Sequence, residues 1–351
     1  MTFPPYEYAQ PVSQPVAQPP QRRKRVGRVI VSLLAVALVA SAALFVATNR
    51  QLLVDVWTAF TFTPDAALQS YIDRSMMTDR GSFLFEASEP TVAPSELFNE
   101  VCKNLEPGSG VLGCYTNRDK RITLFDITDE RLDGMEPVVA SHEMLHAAWD
   151  RMGTDERGRL EILLEAEASK LQSDPAFAGR MELYSRTEPG QRLNELHSIL
   201  GTEVPALSSA LEAHYAEYFS DRAALVALHV ASITVFNELE VATAALVAEM
   251  DALQAGMKID LETYNAGYDR LNADINAFNA RADSGGFDSQ EQFDAERAAL
   301  LRRQAELDAL FASIQAREVT WNEKHAQLEE LNAQAAALNT SINVVPRTAN
   351  E

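Results

Sequence analysis

The sequence predicts an α+β protein in which helix predominates: an N-terminal transmembrane helix, a small mixed domain holding a short sheet, and a C-terminal antiparallel helical hairpin. Three observations carry this expectation. Residues 29–48 form a run of twenty without a single charge. Short strand-like runs occur only before residue 133, between loops that bear Pro and Gly. Beyond Met257, apolar residues recur at heptad spacing. Composition agrees: 46% hydrophobic and 23% charged residues lie in the globular range, and only 15 glycines stand among many Ala, Leu and Glu. A chain of 351 residues can bury at least one sizeable core. The expected segments are 1–28 (tail), 29–48 (span), 60–220 (mixed domain) and 221–345 (hairpin).

Residues 1–21 carry six prolines and four glutamines. So little apolar bulk cannot offset the entropy of ordering, and the tail is expected to be disordered. Arg22, Arg23, Lys24, Arg25 and Arg28 follow, and against Glu7 they give the first 28 residues a net charge of +4. With Arg50 also counted, everything after residue 50 must carry −26 to reach the total of −21. That acidity argues against nucleic acid or an anionic lipid surface as a partner of the main body. The basic cluster directly precedes Val29–Thr48, whose twenty residues span about 30 Å as a helix, the thickness of a bilayer core. Five cations before the run and Arg50 after it place the tail in the cytoplasm and the rest outside, in a single-pass cell-membrane protein. A cleaved signal peptide is the rival reading, with Ala40 and Ala42 as small residues for cleavage. The run is longer than the usual apolar core of such peptides.

Between residues 61 and 133, Ser82–Glu86 (SFLFE) and Arg121–Ile127 (RITLFDI) read as strands of a small sheet. Cys102 and Cys114, the only two cysteines, are expected to form a disulfide in an extracytoplasmic chain, with two buried thiols as the alternative. Pro137 then opens a helical pattern that Gly153 can close. Thr154, Asp155 and Glu156 cap a second helix to about Leu171, and a third runs from Pro189 to Leu200 with Gly201 as its stop. No strand pattern follows Val204. Leu261, Tyr264, Tyr268, Leu271, Ile275 and Phe278 mark one seam. Phe293, Leu300, Leu307, Ile314, Trp321, Leu328, Ala335 and Ile342 mark another, with Leu310, Leu331 and Leu338 between. Gly285-Gly286 separates them, so the simplest solution is a hairpin turning near residues 283–288.

Within the first of these helices stands His142-Glu143-Met144-Leu145-His146. Positions i and i+4 lie one above the other on a helix, so both imidazoles address one point, as two ligands of a zinc ion would. Glu143 falls beside that point rather than on it, where its carboxylate can take a proton from an attacking water and later pass one to a leaving amine. Zinc lowers the pKa of bound water to about 7 and polarises a scissile carbonyl.

Val138–Asp150 (VVASHEMLHAAWD) resembles the active-site helix of the gluzincin metallopeptidases, the thermolysin-like clan, and the resemblance extends over residues 60–220. It implies a minimal zincin-like domain, Zn²⁺, a protein or peptide substrate, and a Glu from a later helix as third ligand. Glu195 matches that role, since it follows Asn194 on a short apolar-faced helix after a helical spacer. His197, Glu165 and Glu167 remain alternatives. The segment NELHSIL departs from the clan's Glu-x-x-x-Asp, with Ile199 where Asp stands. Asp150, one turn past His146, matches an Asp of thermolysin-type helices. No third His follows at metzincin spacing. Tyr184, His214, Tyr215 and Tyr218 are the candidates to stabilise an oxyanion. The function expected is that of a membrane-anchored, extracytoplasmic zinc metallopeptidase with Glu143 as general base. The rival is an envelope scaffold or adaptor acting through its coiled coil, with an inactive zincin-like domain. A coiled-coil partner or self-association stays open.

Overall fold

The computed structural model describes residues 1–2, 13–14, 22–102, 111–187 and 190–343. The chain divides into two compact units, Met1–Trp57 and Thr58–Glu351. In the first, α1 (Arg22–Thr48) contains the uncharged run, with mean hydropathy 2.8 over Val29–Thr48 and none of that stretch buried. This helix is long and apolar enough to cross a membrane. After Asn49, α2 (Arg50–Thr61) runs across the boundary between the units. The tail expected to be disordered lies almost wholly outside the described residues.

The second unit is mostly helical. It begins with α3 (Ala66–Arg74) and α4 (Asp79–Glu86), then β1 (Thr91–Ala93), α5 (Ser95–Val101), β2 (Gly113–Thr116) and β3 (Arg121–Phe125). Ser82–Glu86, expected as a strand, is the body of α4. Thr78 caps it by accepting a hydrogen bond from the Gly81 amide, and the helical turn puts Leu84 and Phe85 together in the core. A five-residue apolar run does not separate the two periods, and the cap decides. Gly81 is needed at that start, because a Cβ there would lie 2.5 Å from the Tyr218 carbonyl oxygen.

The sheet has the order β1-β3-β2, with β1 parallel and β2 antiparallel to the central β3. Ile122, Leu124 and Phe125 of β3 are buried, and β2 is left as an edge. Cys102 and Cys114 are joined in a disulfide that ties the end of α5 to this edge, with Cα atoms 5.9 Å apart.

Next come α6 (Met135–Arg151), α7 (Thr154–Leu171), α8 (Pro175–Thr187), α9 (Arg192–Thr202) and α10 (Ser209–Tyr215). Pro137 is the third residue of α6 rather than the first, still within the turn whose amides lack helical acceptors. Gly153 lies just past α6 and serves as N-cap of α7. Pro189 lies outside the described residues, and α9 begins at Arg192. Gly201 does not stop α9, which continues to Thr202. It is a packing glycine, since a Cβ there would meet Leu145 Cδ1 at 2.5 Å and the Tyr215 ring at 2.7 Å. α6 is the centre of the core: Ala140, Met144, Leu145 and Ala147 are fully buried, among side chains of α3, α4, α9 and β3.

The hairpin consists of α11 (Arg222–Asp283) and α12 (Gln290–Ser341), turning where expected. Leu246, Met250, Leu271 and Leu338 are its buried seam residues. Two members of the expected first seam turn outward: Leu261 is 45% and Tyr268 49% exposed. Their neighbours face α12 instead. Asp260 pairs with Arg317, and Gly267 leaves the space that Leu307 fills. Close packing here selected a small residue and an ion pair, neither of which registers in a hydrophobic pattern. At the tip, Phe278, Phe287 and Phe293 cluster with centroids 5.0–5.1 Å apart. α11 is also long and apolar enough to cross a membrane by length and composition, with 11% of its most apolar stretch buried, while Leu225 and Val226 at its start are buried in the core.

Candidate metal centre

α6 and α9 pack side by side, and their contact brings the site together. His142 and His146 stand one turn apart on α6, with ring centroids 4.7 Å apart, and both are 9% exposed. Glu195, in the first turn of α9 and 1% exposed, approaches both: Oε2 lies 3.7 Å from His142 Nε2 and Oε1 3.5 Å from His146 Nε2. Ligand atoms of the three residues all lie within 4.8 Å of one another, so this buried group could hold a metal ion.

The chemistry of the donors supports that fit. His146 Nδ1 is 2.9 Å from Asn194 Oδ1 and 3.2 Å from Ser198 Oγ. An amide oxygen accepts, so Nδ1 carries the proton and the lone pair of a neutral ring falls on Nε2, toward Glu195. Burial lowers the pKa of His142, which keeps its imidazole neutral as a ligand must be. Two imidazole lone pairs and a carboxylate thus converge in a largely buried site, an acceptor set that a divalent cation satisfies.

Asn194, Glu195 and Ser198 fall on one face of α9 because they are spaced i, i+1 and i+4. Behind His142, Glu203 Oε1 is 4.0 Å from Nδ1, and the same carboxylate pairs with Arg180 of α8 and approaches His229 Nε2 of α11 at 3.9 Å. Burial, with the Arg180 charge next, takes the His229 pKa down to about 4. Sequence reasoning singled out none of Arg180, Glu203 and His229. His229, alone among the apolar residues ALVALHVASITVF, carried a usable signal; the other two have none before α8 and α11 are placed.

Glu143 is buried and approaches the start of β2. A Cβ on Gly113 would lie 2.7 Å from Glu143 Cγ and 2.8 Å from its Oε1, so the glycine makes room for the carboxylate beneath the edge strand. Two spaces meet there. A cleft of about 310 Å³ reaches His142, Glu143, His146 and Glu195 from the side of β2, Asn194 and the disulfide. A cavity of about 480 Å³ continues from His142 and Glu143 between α6, α8 and the base of the hairpin, lined by Val139, Phe236 and Ile342 among others. Asp150 fixes the strand above the site: it accepts from Tyr115 Oη at 2.9 Å and from Lys120 Nζ at 2.6 Å.

The other sequence candidates lie elsewhere. Glu165 is held by Arg192 at 2.9 Å on an exposed surface, and Glu167 by Lys170 and the Ser208 amide. His197 is buried against Trp149 and Tyr215, with Nε2 2.9 Å from His214 Nε2. Tyr215 donates to the His197 carbonyl, and Tyr218 is fully buried. Tyr184 alone of the four oxyanion candidates borders both cleft and cavity, its ring stacked on His142 with centroids 6.4 Å apart. No protein-family model, curated protein or solved structure matches this chain.

Proposed function

We propose that this chain is a zinc-dependent metallopeptidase of the gluzincin type, anchored in the cell membrane by α1 with its second unit outside. The observation that carries the reading is the convergence of His142, His146 and Glu195 next to Glu143, under an edge strand and at the meeting of two clefts. His142 and His146 would hold the ion through imidazole nitrogens and Glu195 through its carboxylate, a donor set that suits zinc.

When bound, zinc supplies Lewis-acid polarisation of a carbonyl and a water acidic enough to ionise near neutral pH. The residues of the chain do the rest. The edge of β2 offers backbone groups to an extended peptide by strand addition, laying it across the mouth of the cleft. Glu143 accepts the proton of the attacking water and returns one to the leaving amine. Tyr184, which borders both spaces, donates to the developing oxyanion in this reading.

The test is metal content and turnover on the same preparations. The wild-type chain is expected to hold about one zinc, and His146→Ala to lose zinc and activity together. Glu143→Gln is expected to keep zinc while turnover drops by about 10²-fold or more, since an amide cannot accept the proton. A wild-type chain that binds no divalent metal would overturn this reading in favour of the scaffold.

A further inference from the structure

α2 is an amphipathic helix whose apolar side is exposed. At 100° per residue, Ala59, Leu52, Val56, Phe60, Leu53 and Trp57 occupy an arc of about 160°, while Arg50, Thr61, Thr58, Gln51 and Asp55 lie on the other side, interrupted only by Val54. A helix on a soluble protein buries the first set and exposes the second. Here the apolar set is exposed, Leu52 at 53%, Val56 50%, Trp57 68% and Phe60 83%; of the polar set Asp55 is 3% exposed and accepts from Gln51 Nε2 at 2.8 Å, while Arg50, Gln51 and Thr61 are exposed. Water is a poor medium for that surface.

We propose that α2 is an interfacial helix whose apolar face sits in the headgroup and upper acyl layer of the membrane that α1 crosses. The inference rests on α1 being a membrane span. Its ground is continuity: α2 begins two residues after α1 ends, where a run of twenty residues has used up the hydrocarbon thickness of about 30 Å. The exit from the span is chemically finished. Thr48 Oγ1 donates to the Leu44 carbonyl at 2.9 Å and Asn49 Nδ2 to the Phe45 carbonyl at 2.9 Å, so side chains serve carbonyls at the end of α1. Trp57 and Phe60 then supply the aromatic groups that favour a membrane–water boundary. Arg50 and Asp55 cancel in charge, so the attachment is hydrophobic, needs no anionic lipid, and is compatible with the acidity of the rest of the chain.

The experiment reads Trp57 in the full-length protein reconstituted into phosphatidylcholine vesicles, with and without lipid brominated high on the acyl chain. The difference between wild type and Trp57→Phe isolates the Trp57 signal from Trp149 and Trp321. Blue-shifted emission quenched about twofold or more by the brominated lipid is expected. That quenching should disappear in a Val56→Glu/Phe60→Glu variant that still floats with the vesicles. Three results overturn the proposal. Emission that is not quenched while the protein floats and resists alkaline extraction leaves α1 as a span and puts a second copy or another protein on the α2 face. Quenching that survives the double substitution assigns it to proximity to α1 alone. A protein that does not float removes the span, and the interfacial helix with it.

Discussion

Asn194 shows how finely the site depends on single groups. It touches no position where a metal would sit, yet its Oδ1 fixes which nitrogen of His146 is protonated. Asn194→Ala is expected to weaken zinc binding by about 10- to 100-fold, measured by competition with a chelator, whereas Glu195→Ala should weaken it by several orders of magnitude. Equal loss in both variants would make Asn194 more than an orienting group. His214 supplies a pH effect away from the ligands. Burial lowers its pKa to about 4, so the folded protein refuses a proton that the unfolded chain takes up below about 6.5. Its contribution therefore vanishes above pH 6.5 and destabilises increasingly as pH falls toward 4, by on the order of 2 kcal/mol. His214→Gln keeps a hydrogen-bonding group beside His197 and should flatten the fall in melting temperature between pH 6.5 and 4. A wild-type slope in that variant would place the acid sensitivity elsewhere.

At the scale of elements, two contacts decide the geometry: α6 against α9, and α11 against α12. Gly201 sits in the first, and Gly201→Ala should cost roughly 1–3 kcal/mol by thermal melting, because Leu145 and Tyr215 are buried and cannot give way. In the second, Leu271 is 3% exposed and Leu307 fills the space left by Gly267. Leu271→Asp/Leu307→Asp should lower helicity and melting temperature sharply, at roughly 2–5 kcal/mol per site, and unchanged melting would mean that these residues face no core. Elements also mark the limit of pattern reading. The helix bearing the motif and the turn of the hairpin were legible because caps and heptads are local signals. Ser82–Glu86 was misread because five residues fit either period. Leu261 and Tyr268 were placed on the seam because Asp260 and Gly267, which hold it, carry no hydrophobic signal.

For the whole molecule, the charge step around α1 predicts orientation. Protease added outside intact cells should degrade residues 51–351 while the N-terminal tail stays protected; protection of the entire chain would reverse the topology, and a soluble product starting near residue 43 would show cleavage instead. The disulfide belongs to this scale too, since it links α5 to the strand above the site. Cys102→Ser/Cys114→Ser should lower stability by about 3 kcal/mol for a loop of this length, if the unfolded chain is otherwise unchanged.

The sequence by itself determined the apolar helix, the two imidazoles on one turn with a carboxylate beside them, and the hairpin, because each depends on neighbours within a few residues along the chain. The tertiary structure alone decided which acid meets the imidazoles. Glu165, Glu167 and Glu195 are all helical acids, and the packing of α6 on α9 carries Glu195 to 3.5 Å from His146, while Glu165 pairs with Arg192 and the buried Glu167 with Lys170. It decided likewise that Tyr184 borders the site while His214, Tyr215 and Tyr218 fill the core behind it. Convergence of this kind joins residues some fifty positions apart, and the forces that fix it are burial and close packing, which no local spacing encodes.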